Sequence, residues 1–98
     1  MPYLKYTSMT QGAVIIELTK ETITIGRADG CTICLKEDKK VSREHSQLIR
    51  QPGGGYVVKD LGSKNGTFVN GSPIHTWALK DNDVINVGDT FLTYKEKK

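Results

Sequence analysis

The chain has 98 residues, of which 37% are hydrophobic and 26% are charged. This composition predicts one folded domain over residues 1–98, because disordered chains are less apolar and about 100 residues is a usual domain length. The longest apolar run, residues 13–16, is far shorter than the ~18 residues of a membrane helix. No secretory signal is recognised and there are only two cysteines, so we expect an intracellular protein, cytoplasmic or, in a eukaryote, nuclear, without a disulfide framework.

The net charge of +3 comes from 14 Lys and Arg against 11 Asp and Glu. All of the excess lies between Gly26 and Lys64, where eight basic residues stand against five acidic ones. An excess of this size does not by itself indicate a nucleic-acid partner. Its position draws attention to the middle of the chain.

Short β-branched runs separated by glycine-rich turns predict a series of strands, and no segment has the apolar spacing of an amphipathic helix. The predicted strands, in chain order, are Tyr3–Tyr6, Ala13–Leu18, Thr22–Ile25, Thr32–Leu35, His45–Arg50, Tyr56–Lys59, Thr67–Val69, Asp83–Val87 and Thr90–Tyr94. Strands at spacings of ~8–12 residues indicate an antiparallel sandwich or barrel. Trp77 and Ala78 are placed in a loop, and residues 95–98 form a charged tail.

One candidate catalytic arrangement is a hydroxyl and an imidazole three positions apart, Ser42 and His45, which Asp60 could complete as a triad. The G-x-S-x-G turn that exposes a serine nucleophile is absent. Hydrogen bonds that fix a loop are the favoured role for this pair. The sequence therefore predicts a protein that is not an enzyme.

Cys31 and Cys34 have the C-x-x-C spacing of zinc and redox sites. A tetrahedral zinc site needs two further converging ligands, and the two histidines, His45 and His75, are 30 positions apart. A redox thiol pair would need a helix N-terminus to lower a thiol pKa, and no helix is predicted. We expect two reduced thiols, one of them buried, and neither a metal nor a cofactor.

Three short motifs stand in the middle of the chain: Gly26-Arg27, Ser42-x-x-His45, and Lys64 followed by Asn65-Gly66-Thr67. Their guanidinium, ammonium, hydroxyl and backbone N–H groups are the donors that a dianionic phosphate needs. In this order and within an all-β pattern, the motifs resemble the forkhead-associated (FHA) domain, a phosphothreonine-binding fold. The resemblance covers residues 22–94. It implies an all-β, antiparallel, SMAD/FHA-like β-sandwich of about eleven short strands with the binding loops at one end.

The resemblance also implies a role for each motif residue. Arg27, Ser42, Arg43 and Lys64 would bind the phosphate of phosphothreonine, and Asn65 would bond the peptide backbone next to it. Structural support is expected from Gly26, His45, Gly66 and Thr67. Lys39 and Lys40 occupy a loop that contacts the third residue after the phosphothreonine, so we expect an acidic residue to be preferred there.

The implied function is a non-catalytic, monomeric module that stands alone or forms part of a larger protein. Its partner is a protein that contains phosphothreonine, and a serine/threonine kinase has phosphorylated that threonine. Two alternatives remain open: a small basic β-barrel that binds nucleic acid, and an FHA scaffold that assembles proteins without phosphate. Nucleic-acid binding would favour exposed aromatic residues interleaved with Lys and Arg, and the 7 aromatic residues are instead spread along the chain.

Overall fold

The computed structural model describes residues 2–8 and 11–96, which form strands and, within those ranges, no helix. The strands are β1 (Tyr3–Ser8), β2 (Gly12–Glu17), β3 (Thr22–Gly26), β4 (Ile33–Cys34), β5 (Ser46–Arg50), β6 (Tyr56–Asp60), β7 (Thr67–Val69), β8 (Ser72–Ile74), β9 (Thr76–Ala78), β10 (Val84–Val87) and β11 (Thr90–Lys95). The predicted all-β fold with about eleven strands is confirmed. The described ranges contain no helix long and apolar enough to cross a membrane.

The strands form two sheets. The first has the order β2-β1-β11-β10-β7-β8, and the second has the order β4-β3-β5-β6-β9. Among the described strands all pairs are antiparallel except β3 and β4, where Ile25 lies opposite Ile33 and Gly26 opposite Cys34 in a parallel register. The antiparallel prediction is therefore wrong for this one pair. The connection over residues 27–32 returns the chain alongside the end of β3, so the short β4 runs in the same direction as β3.

Alternating apolar residues of both sheets build the core between them. In β3, Ile23 and Ile25 are buried, and in β11 the buried residues are Leu92 and Tyr94. A strand directs alternate side chains to opposite faces, so this alternation gives each sheet one apolar face. Burial raises the pKa of Tyr94 to about 12, and the Glu96 carboxylate acts in the same direction.

The sequence patterns predict neither β8 nor β9, and the loop predicted at Trp77 and Ala78 is wrong, since these residues lie in β9. Both are three-residue strands at sheet edges with few buried side chains, so neither has an alternating apolar stripe. The charged tail was also placed one residue too early, since Lys95 ends β11. The Glu96 amide donates to Asp81 Oδ1 at 2.9 Å. Residues 97–98 of the predicted tail lie outside the described residues.

The sandwich brings the middle loops to one end. Ile25 near the end of β3 lies opposite Ser46 at the start of β5, and Ser46 lies opposite Asp60 at the end of β6. The loops that follow β3, precede β5 and follow β6 therefore leave the sheet side by side. These are the loops that contain the three motifs, as expected for binding loops at one end.

Candidate functional site

Gly26 lets two of the loops meet. A Cβ atom on this residue would lie 2.1 Å from the carbonyl oxygen of Arg43 and 2.9 Å from Cys31 Sγ. The approach is held by backbone bonds, because the Arg27 amide donates to the Ser42 carbonyl and the Ala28 amide to the Arg43 carbonyl, each at 3.1 Å. A side chain at position 26 would separate the loop after β3 from the loop before β5.

Arg27 follows this contact and is anchored by one edge of its guanidinium. Its Nε–H donates to the Val41 carbonyl at 2.5 Å, while the side chain remains exposed. The terminal N–H groups have no acceptor within residues 2–8 and 11–96. The anchored edge leaves the planar fork of terminal N–H groups available for an external anion.

His45 is the buried link between two loops. Its Nδ1 accepts the Ser42 N–H at 3.0 Å, so the ring proton lies on Nε2, which donates to the Gly66 carbonyl at 2.8 Å. The side chain has no exposed surface. His45 therefore fixes the backbone on both sides of the site and is not available to a ligand. Because both ring nitrogens are bonded to backbone groups, neither is placed to act as the base of a catalytic triad with Ser42.

Ser42 and Lys64 join the same two loops at the surface. The Ser42 hydroxyl oxygen accepts the Lys64 N–H at 3.0 Å. Its hydroxyl hydrogen has no acceptor among the described residues. Ser42 is partly exposed, so this O–H can donate to a ligand while the oxygen keeps its bond to Lys64.

Asp60 organises the turn that carries the Asn-Gly motif. Its Oδ1 accepts the hydroxyls of Ser63 at 2.6 Å and Thr67 at 2.7 Å, and its Oδ2 accepts the amides of Gly62 and Ser63. Burial by itself would raise the pKa of Asp60, but these hydrogen bonds outweigh it and hold the pKa below its usual value. From the sequence, Asp60 begins a polar turn and could complete a Ser-His-Asp triad, but its role in holding that turn together is not predicted. The Asp-x-Gly-Ser spacing, typical of side chains that cap turns, was the available signal.

Gly66 and Thr67 lie at the base of the same turn. Gly66 has a φ of +87°, which favours glycine, and its amide donates to Ser63 Oγ at 2.9 Å. Thr67 is buried and its hydroxyl lies 2.6 Å from that of Ser46. Both residues hold the turn and present no group to solvent that would bind a ligand.

Asn65 and Lys40 connect the outer parts of these loops. The Asn65 side-chain amide donates to the Lys40 carbonyl at 2.8 Å, and no described residue donates to its Oδ1. The Lys40 ammonium lies 3.4 Å from an Asp89 carboxylate oxygen in an exposed ion pair. The neighbouring Lys39 has no ion-pair partner in the described part of the chain. Of the two lysines assigned to specificity, one is thus already paired.

The three cations of the site come from three different loops. Arg27, Arg43 and Lys64 are all exposed, and none has a carboxylate partner in residues 2–8 and 11–96. Unpaired cations on neighbouring loops create a local positive potential that attracts anions. The loops also supply the free Ser42 hydroxyl, so charge and a hydrogen-bond donor occur together.

Cys31 and Cys34 border the site as free thiols. Cys31 lies in the turn before β4, where its thiol donates to the Arg43 carbonyl at 3.2 Å, and Cys34 ends β4. Both are partly exposed, so the expectation that one is buried is wrong. Burial raises the pKa of Cys31. The described residues contain no group of three or more His, Cys, Asp or Glu side chains that could hold a metal ion.

The fold is a β-sandwich whose loops at one end carry positive charges and hydrogen-bond donors. This arrangement is typical of a recognition domain that binds anions. The sequence model of the FHA domain matches residues 23–88, two thirds of the chain. The chain therefore belongs to the FHA domain family.

Two curated relatives illustrate the match. The chain is 36% identical over 85 residues to an ABC transporter ATP-binding/permease protein of Mycobacterium tuberculosis, covering 87% of this chain and 10% of the relative. It is 39% identical over 79 residues to the oxoglutarate dehydrogenase inhibitor of Corynebacterium diphtheriae, covering 81% of this chain and 54% of the relative. The chain thus spans about half the length of one relative and a tenth of the other.

Solved structures of FHA domains have the same fold as this chain over nearly its whole length. One, from a structural and functional analysis of phosphothreonine-dependent FHA domain interactions, has a TM-score of 0.84 at 30% identity and covers 99% of this chain and 97% of that one. The FhaA FHA domain complexed with the intracellular domain of Rv3910 has a TM-score of 0.85 at 32% identity and covers 97% of this chain and 100% of that one. The sandwich and its strand order are therefore those of FHA domains.

Proposed function

We propose that this FHA domain is a non-catalytic module that binds phosphothreonine-containing segments of proteins. The observation that carries the proposal is the unbonded hydroxyl hydrogen of Ser42, a residue that is hydrogen-bonded to the backbone of Arg27 and Lys64 and is followed by Arg43, three residues without an ion-pair partner in the described part of the chain. A dianionic phosphate needs several donors and positive charge at one place, and this loop end offers both. The phosphothreonine-dependent interactions of a similar FHA domain support the choice of ligand.

Arg27 is the main phosphate ligand in this proposal. Its Nε is bound to the Val41 carbonyl, so the terminal N–H groups are held in one orientation before the ligand arrives. The planar fork can bond two phosphate oxygens at once, which an ammonium group cannot do. Arg27 therefore contributes both charge and geometry.

Ser42, Arg43 and Lys64 complete the phosphate site. Ser42 donates its hydroxyl, while Arg43 and Lys64 add charge from the loops on either side. Three or four charge-assisted hydrogen bonds at about 1.5–3 kcal/mol each contribute roughly 5–12 kcal/mol, and association costs about 4 kcal/mol or more. With contacts to the flanking peptide, a net of about 8 kcal/mol corresponds to a micromolar Kd. Such an affinity suits reversible signalling downstream of a serine/threonine kinase.

Asn65 serves the peptide backbone. One of its N–H groups is held by the Lys40 carbonyl, which fixes the side chain and leaves Oδ1 and the second N–H for a peptide N–H and C=O. The supporting residues are Gly26, His45, Gly66 and Thr67, whose contacts bind loop to loop. Lys39 and Lys40 are proposed to contact the residues that follow the phosphothreonine.

The remaining expectations belong to the same proposal. The domain acts inside the cell, where kinases and their phosphorylated substrates meet, and it needs no cofactor. It binds as a monomer spanning residues 1–98 and has no enzymatic activity of its own. Membership of a recognition family, with an inhibitor of a metabolic enzyme among the relatives, supports a regulatory role.

The test is a binding titration with one peptide in phosphothreonine and unmodified forms, using wild type and Arg27→Ala. We expect micromolar binding of the phosphorylated form only, and its loss in Arg27→Ala. Arg50→Ala is the matched control, because Arg50 is an exposed arginine at the opposite end of β5. Equal binding of both peptide forms would favour phosphate-independent assembly. A steep salt dependence with nucleic acid, regardless of peptide, would favour nucleic-acid binding.

A further inference from the structure

Two free thiols lie beside the candidate phosphate site, and the proposed function does not use them. Cys31 and Cys34 are both partly exposed. Each thiol is bonded to the backbone of a proposed phosphate ligand, because Cys31 Sγ donates to the Arg43 carbonyl at 3.2 Å and Cys34 Sγ to the Arg27 carbonyl at 3.5 Å. A chemical change at either sulfur therefore acts directly on the loops of the site.

The fold brings both side chains to the same face of the second sheet. Gly26 and Cys34 are paired in the parallel register of β3 and β4, so their side-chain positions point to one face. A Cβ atom on Gly26 would lie 2.9 Å from Cys31 Sγ. Because neighbouring strands are about 4.8 Å apart, the Cys31 sulfur lies within about 8 Å of the Cβ atom of Cys34. Gly26 has no side chain that would separate the two thiols.

The segment that contains the thiols has few bonds that hold it in place. β4 has only two residues and lies at the edge of its sheet, and residues 27–32 belong to no strand. A disulfide needs its two sulfur atoms about 2.05 Å apart, so the turn at Cys31 must move towards β4 before the bond can form. When the turn moves, the Cys31 thiol leaves the Arg43 carbonyl.

The two thiols differ in their access to an oxidant. Burial raises the pKa of Cys31, so little of this thiol is the reactive thiolate at neutral pH. Cys34 lines an open cavity of about 220 Å³ that a small oxidant can enter. Cys34 is therefore the thiol that reacts first, and Cys31 is its nearby resolving thiol.

We propose that Cys31 and Cys34 form a modification site at which hydrogen peroxide closes a disulfide, and that this disulfide weakens the binding of the phosphothreonine peptide. The effect on peptide binding rests on the proposed function.

The reaction has two steps. The Cys34 thiolate attacks the peroxide, so that an S–O bond forms, the O–O bond breaks, and the leaving hydroxide takes up the thiol proton as water. The Cys31 thiolate then attacks the sulfenic sulfur, so that the S–S bond forms, the S–O bond breaks, and the second hydroxide leaves as water with the second proton. The two thiols lose two electrons in total, and these reduce the peroxide to two water molecules.

The disulfide acts on the site through two carbonyl groups. Neither sulfur keeps an S–H donor after oxidation, so the carbonyls of Arg27 and Arg43 each lose a hydrogen bond. Movement of the turn also disturbs the bonds of the Arg27 amide with Ser42 and of the Ala28 amide with Arg43. Because these bonds fix the backbone that positions both arginines, we expect peptide affinity to fall about three- to tenfold.

The test compares reduced wild type with wild type treated with stoichiometric hydrogen peroxide, and Cys31→Ser and Cys34→Ser are the matched controls. Intact-mass spectrometry should show the loss of two hydrogen atoms in oxidised wild type only. The backbone amide NMR signals of Arg27 and Arg43 should shift in the same sample. Phosphopeptide affinity should fall about three- to tenfold and return with dithiothreitol, while both variants keep their affinity in peroxide.

Each other result overturns a defined part of the inference. Addition of oxygen to wild type without loss of two hydrogen atoms, or a disulfide between two molecules, would overturn the modification site. An intramolecular disulfide that leaves peptide affinity unchanged would overturn its effect on binding. Loss of affinity in either variant after peroxide would also overturn the inference, since neither variant can close the disulfide. If reduced wild type binds no phosphopeptide, the proposed function fails, and the mass and the amide signals still decide whether the disulfide forms and moves the loops.

Discussion

The carbonyl oxygen of Arg43 lies 2.1 Å from the position that a Cβ atom on Gly26 would occupy. Even the smallest side chain at this position must displace backbone, because the Arg43 carbonyl is held by the Ala28 amide. We expect Gly26→Ala to lower the free energy of unfolding by about 1–3 kcal/mol. Urea denaturation followed by Trp77 fluorescence measures the change.

Gly30→Ala is the control for this experiment. A Cβ atom on Gly30 meets no heavy atom within 4 Å, and Gly30 is not among the residues with positive φ. Its replacement should leave the free energy of unfolding unchanged or raise it by about 0.4–1 kcal/mol, because alanine reduces the entropy of the unfolded chain. Equal stability of the two variants would contradict the prediction, because it would mean that the backbone around Arg43 can move away from a side chain at position 26 without loss of stability.

A second prediction concerns the Ser42 hydroxyl. Ser42→Ala leaves the Lys64 amide without its acceptor, and in the proposed site it also removes a donor to the phosphate. Since a hydrogen bond to a charged group contributes about 1.5–3 kcal/mol, we expect phosphopeptide affinity to fall about 10- to 100-fold by calorimetric titration. Ser72→Ala, at the exposed start of β8, should bind like wild type. Unchanged binding by Ser42→Ala would remove this residue from the proposed site.

Most of the fold could be predicted because buried strands have a visible pattern. Ile23 and Ile25 in β3, or Leu92 and Tyr94 in β11, alternate with less buried residues, since one face of each strand meets the core. The edge strands containing Pro73 and Trp77 are exposed and three residues long, so their sequences contain no such stripe.

The meeting of the three loops was predictable from residue type and order, but the contacts between them were not. The order of Arg27, Ser42 and Asn65 resembles that of the FHA family and indicated that their loops lie together, while their binding of a ligand stays a prediction. The bond from Arg27 to the Val41 carbonyl and the ion pair of Lys40 with Asp89 depend on how separate loops meet. Sequence patterns describe neighbours along the chain, and these contacts join residues that only the complete sandwich brings together.

The third prediction concerns the imidazole that links two of the loops. We expect ¹⁵N spectra of the histidine rings to show the proton of His45 on Nε2, because Nδ1 accepts the Ser42 amide. His45→Ala breaks both bonds and opens a cavity, so it should cost about 2–4 kcal/mol of unfolding free energy. His75→Ala, at an exposed position, should cost less than about 0.5 kcal/mol. A Nδ1 proton on His45 would contradict the assigned hydrogen bonds.

The fourth prediction is an acid limit to stability. Hydrogen bonds hold the pKa of Asp60 below its usual value in the folded protein, and the pKa of Asp83 is lowered by its own hydrogen bonds despite burial. The unfolded chain therefore binds more protons near pH 4, and stability rises with pH. The stabilisation that these two carboxylates contribute is complete above their pKa in the unfolded chain, about 4. It is lost as the pH falls through their lower pKa in the folded protein.

Asp60→Asn tests this dependence. The variant lacks the titrating group, so the slope of unfolding free energy against pH below about 4 should become shallower, with the part due to Asp83 retained. The variant should also be less stable at neutral pH, because an amide cannot accept all four hydrogen bonds that reach the carboxylate. Parallel pH curves for wild type and Asp60→Asn would contradict the lowered pKa.

The fifth prediction is that phosphopeptide binding weakens at a higher pH than the fold does. The second pKa of a phosphorylated hydroxyl is about 6, so the dianion is lost below that value. The proposed ligands Arg27 and Lys64 would then bind a phosphate with one negative charge instead of two. Affinity measured at pH 7.5 should exceed affinity at pH 5 by up to about tenfold. Trp77 fluorescence should show a folded protein at both values, because the loss of stability through Asp60 begins only near pH 4. Equal affinities at pH 5 and pH 7.5 would count against recognition of the dianion.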